Sequence, residues 1–279
     1  MKIAIQGAEG SFHHIAAGHY YGETDGQTNS FVYADTFSAV FSALAAEAAD
    51  VAVIAIENSL YGSITEVYDL LSKYHYPIIG EVVEHIHQNL ITFEGVQPDD
   101  ITRIYSHPVA LAQCAHYLAN KFPKAEIVEH HDTAAAVEFV KRNGDRSCAA
   151  IAGVVAAKMH GMFILKSAIQ DEPLNFTRFL VIDPHGTPPA NADKASLIIT
   201  TSHEPGALHR ALGVFSDVSS NLTKLQSRPI PGKVWKYQFY IDLEITPAAL
   251  EMAIEMLDFQ ECTVENLGTY KAAATMYED

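Results

Sequence analysis

Up to about residue 183, short apolar runs of strand length alternate with stretches of helical period. The run 2–6 leads through a glycine turn to a helix over 11–21; 30–34 leads to 36–49, and 51–56 to 64–74. This alternation predicts an α/β architecture with parallel pairing. A second set opens with a longer alternating run, 77–92. It continues with 103–106 and a helix over 108–121, then 125–129 with 133–142, then 147–152 with 153–159. Two sets of this size predict two lobes, lobe 1 over about 1–76 plus 170–183 and lobe 2 over about 77–169. The apolar run Phe179-Leu180-Val181-Ile182 is then a return to the first lobe, and the cleft so formed is where open α/β sheets bind ligands.

The stretch 184–194 is rich in proline and poor in bulky apolar residues, as a linker is. A small domain over 195–279 follows it. Its order is strand 195–201, helix 206–218, strands 222–228 and 234–244, helix 247–257 and strand 262–270, the βαββαβ plan of ferredoxin-like folds. The turn Pro229-Ile230-Pro231-Gly232-Lys233 suits a hairpin between the two middle strands.

Composition narrows the function classes. With 48% hydrophobic and 19% charged residues, the 279-residue chain sits among ordinary globular proteins with room for two domains. A net charge of −16 with no basic run argues against nucleic acid as a partner. No stretch has the length to span a bilayer, and the start lacks a signal h-region, so no membrane partner and a cytoplasmic address are expected. Cys114, Cys148 and Cys262 are widely spaced and read as buried thiols. An anionic substrate would have to be held by backbone N–H groups and very few cations.

Three junctions from strand to helix carry short polar residues: Gly7-Ala8-Glu9-Gly10-Ser11, Glu57-Asn58-Ser59-Leu60-Tyr61-Gly62-Ser63 and Ser106-His107-Pro108. Each presents helical N–H groups and a capping side chain at the carboxyl end of a strand, where an anion can sit without a lysine. Plain capping accounts for any one of them alone. Opposite them the pair Thr177-Arg178 offers a hydroxyl and a guanidinium, suited to a leaving hydroxyl and a carboxylate. An ordinary strand start with a solvated arginine accounts for the pair equally well. Gln113 can reach over its helix N-terminus toward a ligand or be solvated, and His107 is a candidate site residue or a helix-start histidine bonding backbone. The pairs His13-His14, His85/His87 and His130-His131 lack a third ligand at zinc spacing, so no metal is expected. Gly7–Gly10 lacks the full dinucleotide spacing. In the small domain Gly206 lets a ligand or another subunit approach backbone N–H groups, so a small amino-acid site at a subunit contact stands beside a plain capped helix.

Several motifs, in order, resemble those of monofunctional prephenate dehydratases. They are GAEGSFHHIAA (7–17), IENSLYGSITEVYDLL (56–71), SHPVALAQC (106–114), NFTRF (175–179), and GAL (206–208) with NLTKLQSRP (221–229). The similarity covers nearly the whole chain, and the ordered set is far more specific than any one motif. It implies a two-lobed, periplasmic-binding-protein-like catalytic domain over 1–183 and a regulatory ACT domain over 195–279. No chorismate mutase segment is expected before residue 1.

The implied activity is that of a carbon–oxygen lyase, converting prephenate to phenylpyruvate, CO2 and water in L-phenylalanine biosynthesis without metal or organic cofactor. Arogenate dehydratase, or a non-catalytic amino-acid sensor of the same fold, are the alternatives. The resemblance implies Thr177 at the departing hydroxyl as proton donor or relay, with Glu57, Asn58, Ser59, Ser106, Gln113, Arg178 and Phe179 around the substrate. It further implies L-phenylalanine as effector at Gly206, Ala207, Leu208, Asn221 and Leu222, and assembly as a homodimer or homotetramer. The chain departs from the family pattern at Val109 (usually Gln), Ala55 (usually Pro), Tyr61 (usually acidic) and Gln226 (usually Glu). The first three adjoin the expected cleft and bear on the choice between prephenate and arogenate. The last removes a charge from the effector motif, and a weakened or altered response is expected.

Overall fold

A computed structural model describes residues 1–22 and 29–274. Positions 23–28 of the expected first lobe and the last five of the expected small domain lie outside the described residues. The chain runs β1 (Lys2–Gln6), α1 (Phe12–Tyr21), β2 (Ser30–Ala34), α2 (Phe37–Ala45), β3 (Val51–Asn58), β4 (Gly62–Ser63), α3 (Thr65–Tyr74) and β5 (Ile78–His85). Then come β6 (Asn89–Thr92), β7 (Arg103–Ser106), α4 (Pro108–Gln113), α5 (Ala115–Lys121), β8 (Glu126–Glu129), α6 (Thr133–Asn143), β9 (Cys148–Ala152), α7 (Val154–Met159), β10 (Phe163–Lys166) and β11 (Phe176–Ile182). The last part is β12 (Lys194–Thr200), α8 (Ala207–Asp217), β13 (Asn221–Pro229), β14 (Tyr237–Glu244), α9 (Pro247–Phe259) and β15 (Thr263–Tyr270).

Three sheets result. The first has the order β2-β1-β3-β11-β5, with β4 beside β3; β1 is parallel to both β2 and β3. Six consecutive buried residues, Val51 to Ile56, open β3, as expected of a strand covered on both faces. The second sheet has the order β10-β6-β9-β7-β8, with β7 parallel to β8 and β9. One of its apolar clusters includes Val137 and Val140 of α6 and Ala156 and Ala157 of α7; another includes Leu111 and Leu118 of α4 and α5. The third sheet has the order β13-β14-β12-β15, and its cluster draws on α8 and α9.

Two sequence expectations change. The alternating run 77–92 is two strands, and β5 stays with the first sheet, so the changeover to the second lies at 86–88. There Ile86 N–H donates to Asn175 O (2.7 Å) and Gln88 O accepts from Ile169 N–H (2.8 Å). The helix expected over 108–121 is broken at Cys114. Asp171 causes the break: its N–H donates to Gln113 O (2.7 Å), and its carboxylate accepts from His116 and Tyr117 N–H (2.8 and 3.0 Å), capping α5 afresh.

The described chain packs as two compact units, Met1–Gly62 with Val83–Phe179, and Ser63–Val82 with Leu180–Asp279. This differs from division at a proline-rich linker, because residues 63–82 pack with the C-terminal part. Within that second unit, Tyr240 Oη donates to Tyr68 O (2.7 Å), and Arg228 holds the Asp69 carboxylate at 3.0 and 2.6 Å. Lys194 Nζ lies 2.9 Å from both Glu81 oxygens. At Gly268 a Cβ would fall 2.1 Å from Ile78 O, so only glycine lets these backbones meet.

Candidate active site

The end of β3 and the start of β11 form the centre of the site. Asn58 Oδ1 accepts from the N–H groups of Leu60 and Tyr61 (both 3.0 Å), folding the loop after β3 into a side-chain-closed turn. Its Nδ2 points at Asn175 Oδ1 (2.8 Å), Phe176 O (3.1 Å) and Thr177 Oγ1 (3.0 Å). Ser59 Oγ accepts from Phe176 N–H (2.9 Å) and donates to Leu174 O (3.1 Å). The structure thus brings Asn58, Ser59 and Thr177 together.

Along β11 successive side chains alternate sides. Thr177 and Phe179 both line a cavity of about 160 Å³. Arg178, between them, is 9% exposed and forms an ion pair with Glu57 Oε1 at 2.9 Å. Neither Glu57 nor Arg178 lines the cavity. Their pair braces the end of β3 against β11 while the hydroxyl and the phenyl ring serve the opposite side.

Three helix starts contribute to the cavity wall. Ser11 caps α1, His107 caps α4 through Nδ1, and Asp132 caps α6 with a bond from Ala135 N–H to Oδ1 at 2.9 Å. The first two junctions were legible in the sequence; the third, His131-Asp132-Thr133, replaces the expected contribution from the start of α3, whose first residues do not line the cavity. Gly7 explains the close fit. Its φ is +96°, and a Cβ there would stand 2.7 Å from Asp132 Oδ2.

His13, in the first turn of α1, lines the cavity as well. Its Nε2 accepts from Ala55 N–H (3.1 Å), and its ring meets Phe179 edge-on at 5.0 Å. Burial pulls its pKa down to about 3. Burial also lowers that of His107; Asp132 and Glu129 pull it back up, while His131 adds to the lowering. No lysine or arginine lines the cavity among the described residues, and Asp132 is its one carboxylate. An anion here would be held by neutral donors and helix N-termini.

Other sequence candidates do not line the cavity. Ser106 is fully buried and donates to Ile151 O (2.6 Å), fixing the start of α4. Gln113 Oε1 accepts from Gln88 Nε2 (3.0 Å) inside the same unit. In the second unit Gly206 is the left-handed cap of α8 (φ +80°), Ala207 is buried, and Leu208 packs on the core. Asn221 Nδ2 reaches Glu244 Oε2 (3.1 Å), and Leu222 pairs with Leu243 across β13 and β14. A larger hollow, about 450 Å³, lies in this unit over residues 229–237 and is walled by prolines, Val234 and Trp235. It lacks the convergent polar groups of the smaller cavity. Among the described residues no cluster of His, Cys, Asp and Glu is arranged to hold a metal, and no helix is long and apolar enough to cross a membrane.

The family model for prephenate dehydratase matches residues 3–187. A bifunctional chorismate mutase/prephenate dehydratase of Neisseria gonorrhoeae is 33% identical over 275 residues, covering 98% of this chain and 75% of that protein. Arogenate dehydratase 5, chloroplastic, of Arabidopsis thaliana is 36% identical over 290 residues, covering 97% of this chain and 67% of that protein. The crystal structure of prephenate dehydratase from Arthrobacter aurescens, in complex with L-Phe, superposes with a TM-score of 0.85 at 28% identity, covering 97% of this chain and 90% of that one. A structure described as GqqA, a novel type of quorum quenching acylases, gives a TM-score of 0.85 at 29% identity over 98% of both chains. Matched by the family model over most of its length and by relatives above 30% identity along nearly all of it, this chain belongs to the prephenate dehydratase family.

Proposed function

We propose that the cavity beside Thr177 carries out the decarboxylating dehydration of prephenate to phenylpyruvate. The bond from Asn58 Nδ2 to Thr177 Oγ1, at 3.0 Å, carries the reading. A threonine hydroxyl that accepts from an amide keeps its own hydrogen for a second partner. The amide polarises that hydroxyl as a donor.

In the reaction the bond from the ring to its carboxylate breaks, and its electron pair enters the ring. The hydroxyl across the ring leaves with the displaced pair, and aromatisation drives the step. Departing hydroxide takes up one proton to become water, and Thr177 donates to that oxygen as charge builds on it. Phe179 supports the ring. The substrate's carboxylates fit the helix starts at Ser11 and His107, which supply N–H donors in a cavity without a cation among its described lining residues. Phenylpyruvate formation from prephenate, with arogenate assayed in parallel, tests the reading. Turnover of neither substrate overturns it.

One observation favours arogenate as a second substrate. Prephenate is a dianion, whereas arogenate carries an ammonium group, and Asp132 is the carboxylate on the cavity wall. Asp132→Ser keeps a capping oxygen on α6 and removes the charge. The ratio of kcat/KM for arogenate over prephenate is expected to fall about 10- to 100-fold, the worth of a charge-assisted bond. An unchanged ratio would leave Asp132 as a cap alone.

The C-terminal βαββαβ segment reads as an ACT regulatory domain for L-phenylalanine, bound by Gly206–Leu208 and Asn221–Leu222 in a homodimer or homotetramer. The left-handed Gly206 at the start of α8 supports this, since a ligand can approach its backbone closely. Titrating L-phenylalanine into the assay should lower the rate, with a weaker response than a Gln226→Glu variant gives. A rate independent of L-phenylalanine in both would remove the regulatory reading.

A further inference from the structure

His13 is occupied on one side only. Its Nε2 accepts from Ala55 N–H at 3.1 Å, so the neutral ring carries its hydrogen on Nδ1. The residue is 8% exposed and is among those lining the cavity that Thr177 and Phe179 also line. Among the described residues Nδ1 makes no hydrogen bond. The edge contact with Phe179, at 5.0 Å, fixes the ring plane. His13 also stands in the first turn of α1, whose leading N–H groups have no intrahelical acceptor. A donor locked into one tautomer therefore stands beside a helix N-terminus in a cavity with no lysine or arginine on its wall. Burial, which brings the ring's pKa to about 3, keeps it neutral at any pH near 7.

We infer that His13 contacts the substrate, donating through Nδ1–H to an anionic oxygen as a fixed, neutral hydrogen-bond donor. The inference rests on the cavity being the substrate site. It differs from the plainer role of a core histidine that only accepts from Ala55, and paired substitutions separate the two. Asparagine places an amide N–H near the position of Nδ1 but has nothing at Nε2; glutamine places an oxygen near Nε2 but has no donor at Nδ1.

His13→Gln should raise KM about 10- to 100-fold, the worth of a hydrogen bond to a charged group. Its kcat should change by less than about threefold, because the lost interaction is made equally in ground and transition states. His13→Asn should keep KM within about threefold of the unmodified enzyme by the same argument, at some cost in melting temperature. The reverse order, or equal effects on KM, overturns the inference. ¹⁵N NMR of the imidazole in the unmodified protein reads the same point without a variant. The expected result is the Nδ1–H tautomer at pH 7 and a shift of that signal on adding phenylpyruvate. An Nε2–H or charged ring, or a signal indifferent to phenylpyruvate, overturns it. The tautomer is measured without turnover, so failure of this inference and failure of the dehydratase reading are distinguishable.

Discussion

Thr177→Val is expected to lower turnover of prephenate about 1,000-fold, within the range for loss of a positioned proton donor, and to leave the fold intact. Valine keeps the β-branched shape that suits a strand and replaces only the hydroxyl. Asn58 Nδ2, which has two hydrogens, still has Asn175 Oδ1 at 2.8 Å and Phe176 O at 3.1 Å as acceptors. The turn after β3 therefore stays closed, and the melting temperature should stay close to that of the unmodified protein. Rates of phenylpyruvate formation, measured beside a thermal melt, check both halves. A variant that keeps its turnover would remove Thr177 from the chemistry.

The largest loss of stability is expected at Glu81→Ala. Lys194 Nζ sits 2.9 Å from both carboxylate oxygens, with side chains 9% and 3% exposed. Glu81 also accepts from Ala273 N–H at 3.0 Å. Removing the carboxylate strands a buried ammonium and an unpaired amide, which costs about 3–5 kcal/mol. The double variant Glu81→Leu with Lys194→Met removes both charges and should recover most of that loss, since well-packed apolar groups often replace a buried pair without penalty. Calorimetric melting of the two variants measures the difference. A cost below about 1 kcal/mol for Glu81→Ala would mean that the pair is solvated like a surface bridge.

The alternation of strands and helices was legible because each element carries its own period, and the βαββαβ order emerged the same way. Long-range partners were not. The break at Cys114 depends on Asp171, 55 residues from His116, and no local pattern announces such a cap. The packing of residues 63–82 with the C-terminal part depends partly on Gly268, where the informative fact is a missing Cβ. Within the candidate site, Thr177 and Asn58 lie in contact, while the strand period turns Thr177 and Arg178 to opposite sides of β11. The start of α6 carried a visible cap, Asp132, yet nothing in the sequence says which helix starts meet at one cavity. In the sequence His13 stands as half of a histidine pair. On α1 the two diverge, His13 to Ala55 N–H and His14 to Gly10 N–H at 2.9 Å.

The bond from Ala55 to His13 also constrains what residue 55 can be. Proline, the residue that the resemblance leads one to expect at position 55, has no N–H to give. Beside a proline the buried imidazole would lose the partner that fixes its tautomer, leaving a desolvated nitrogen unsatisfied. Positions 13 and 55 are therefore coupled in this chain: the tautomer of His13 depends on the N–H that residue 55 supplies. Ala55→Pro should lower the melting temperature by leaving the buried Nε2 of His13 without its donor.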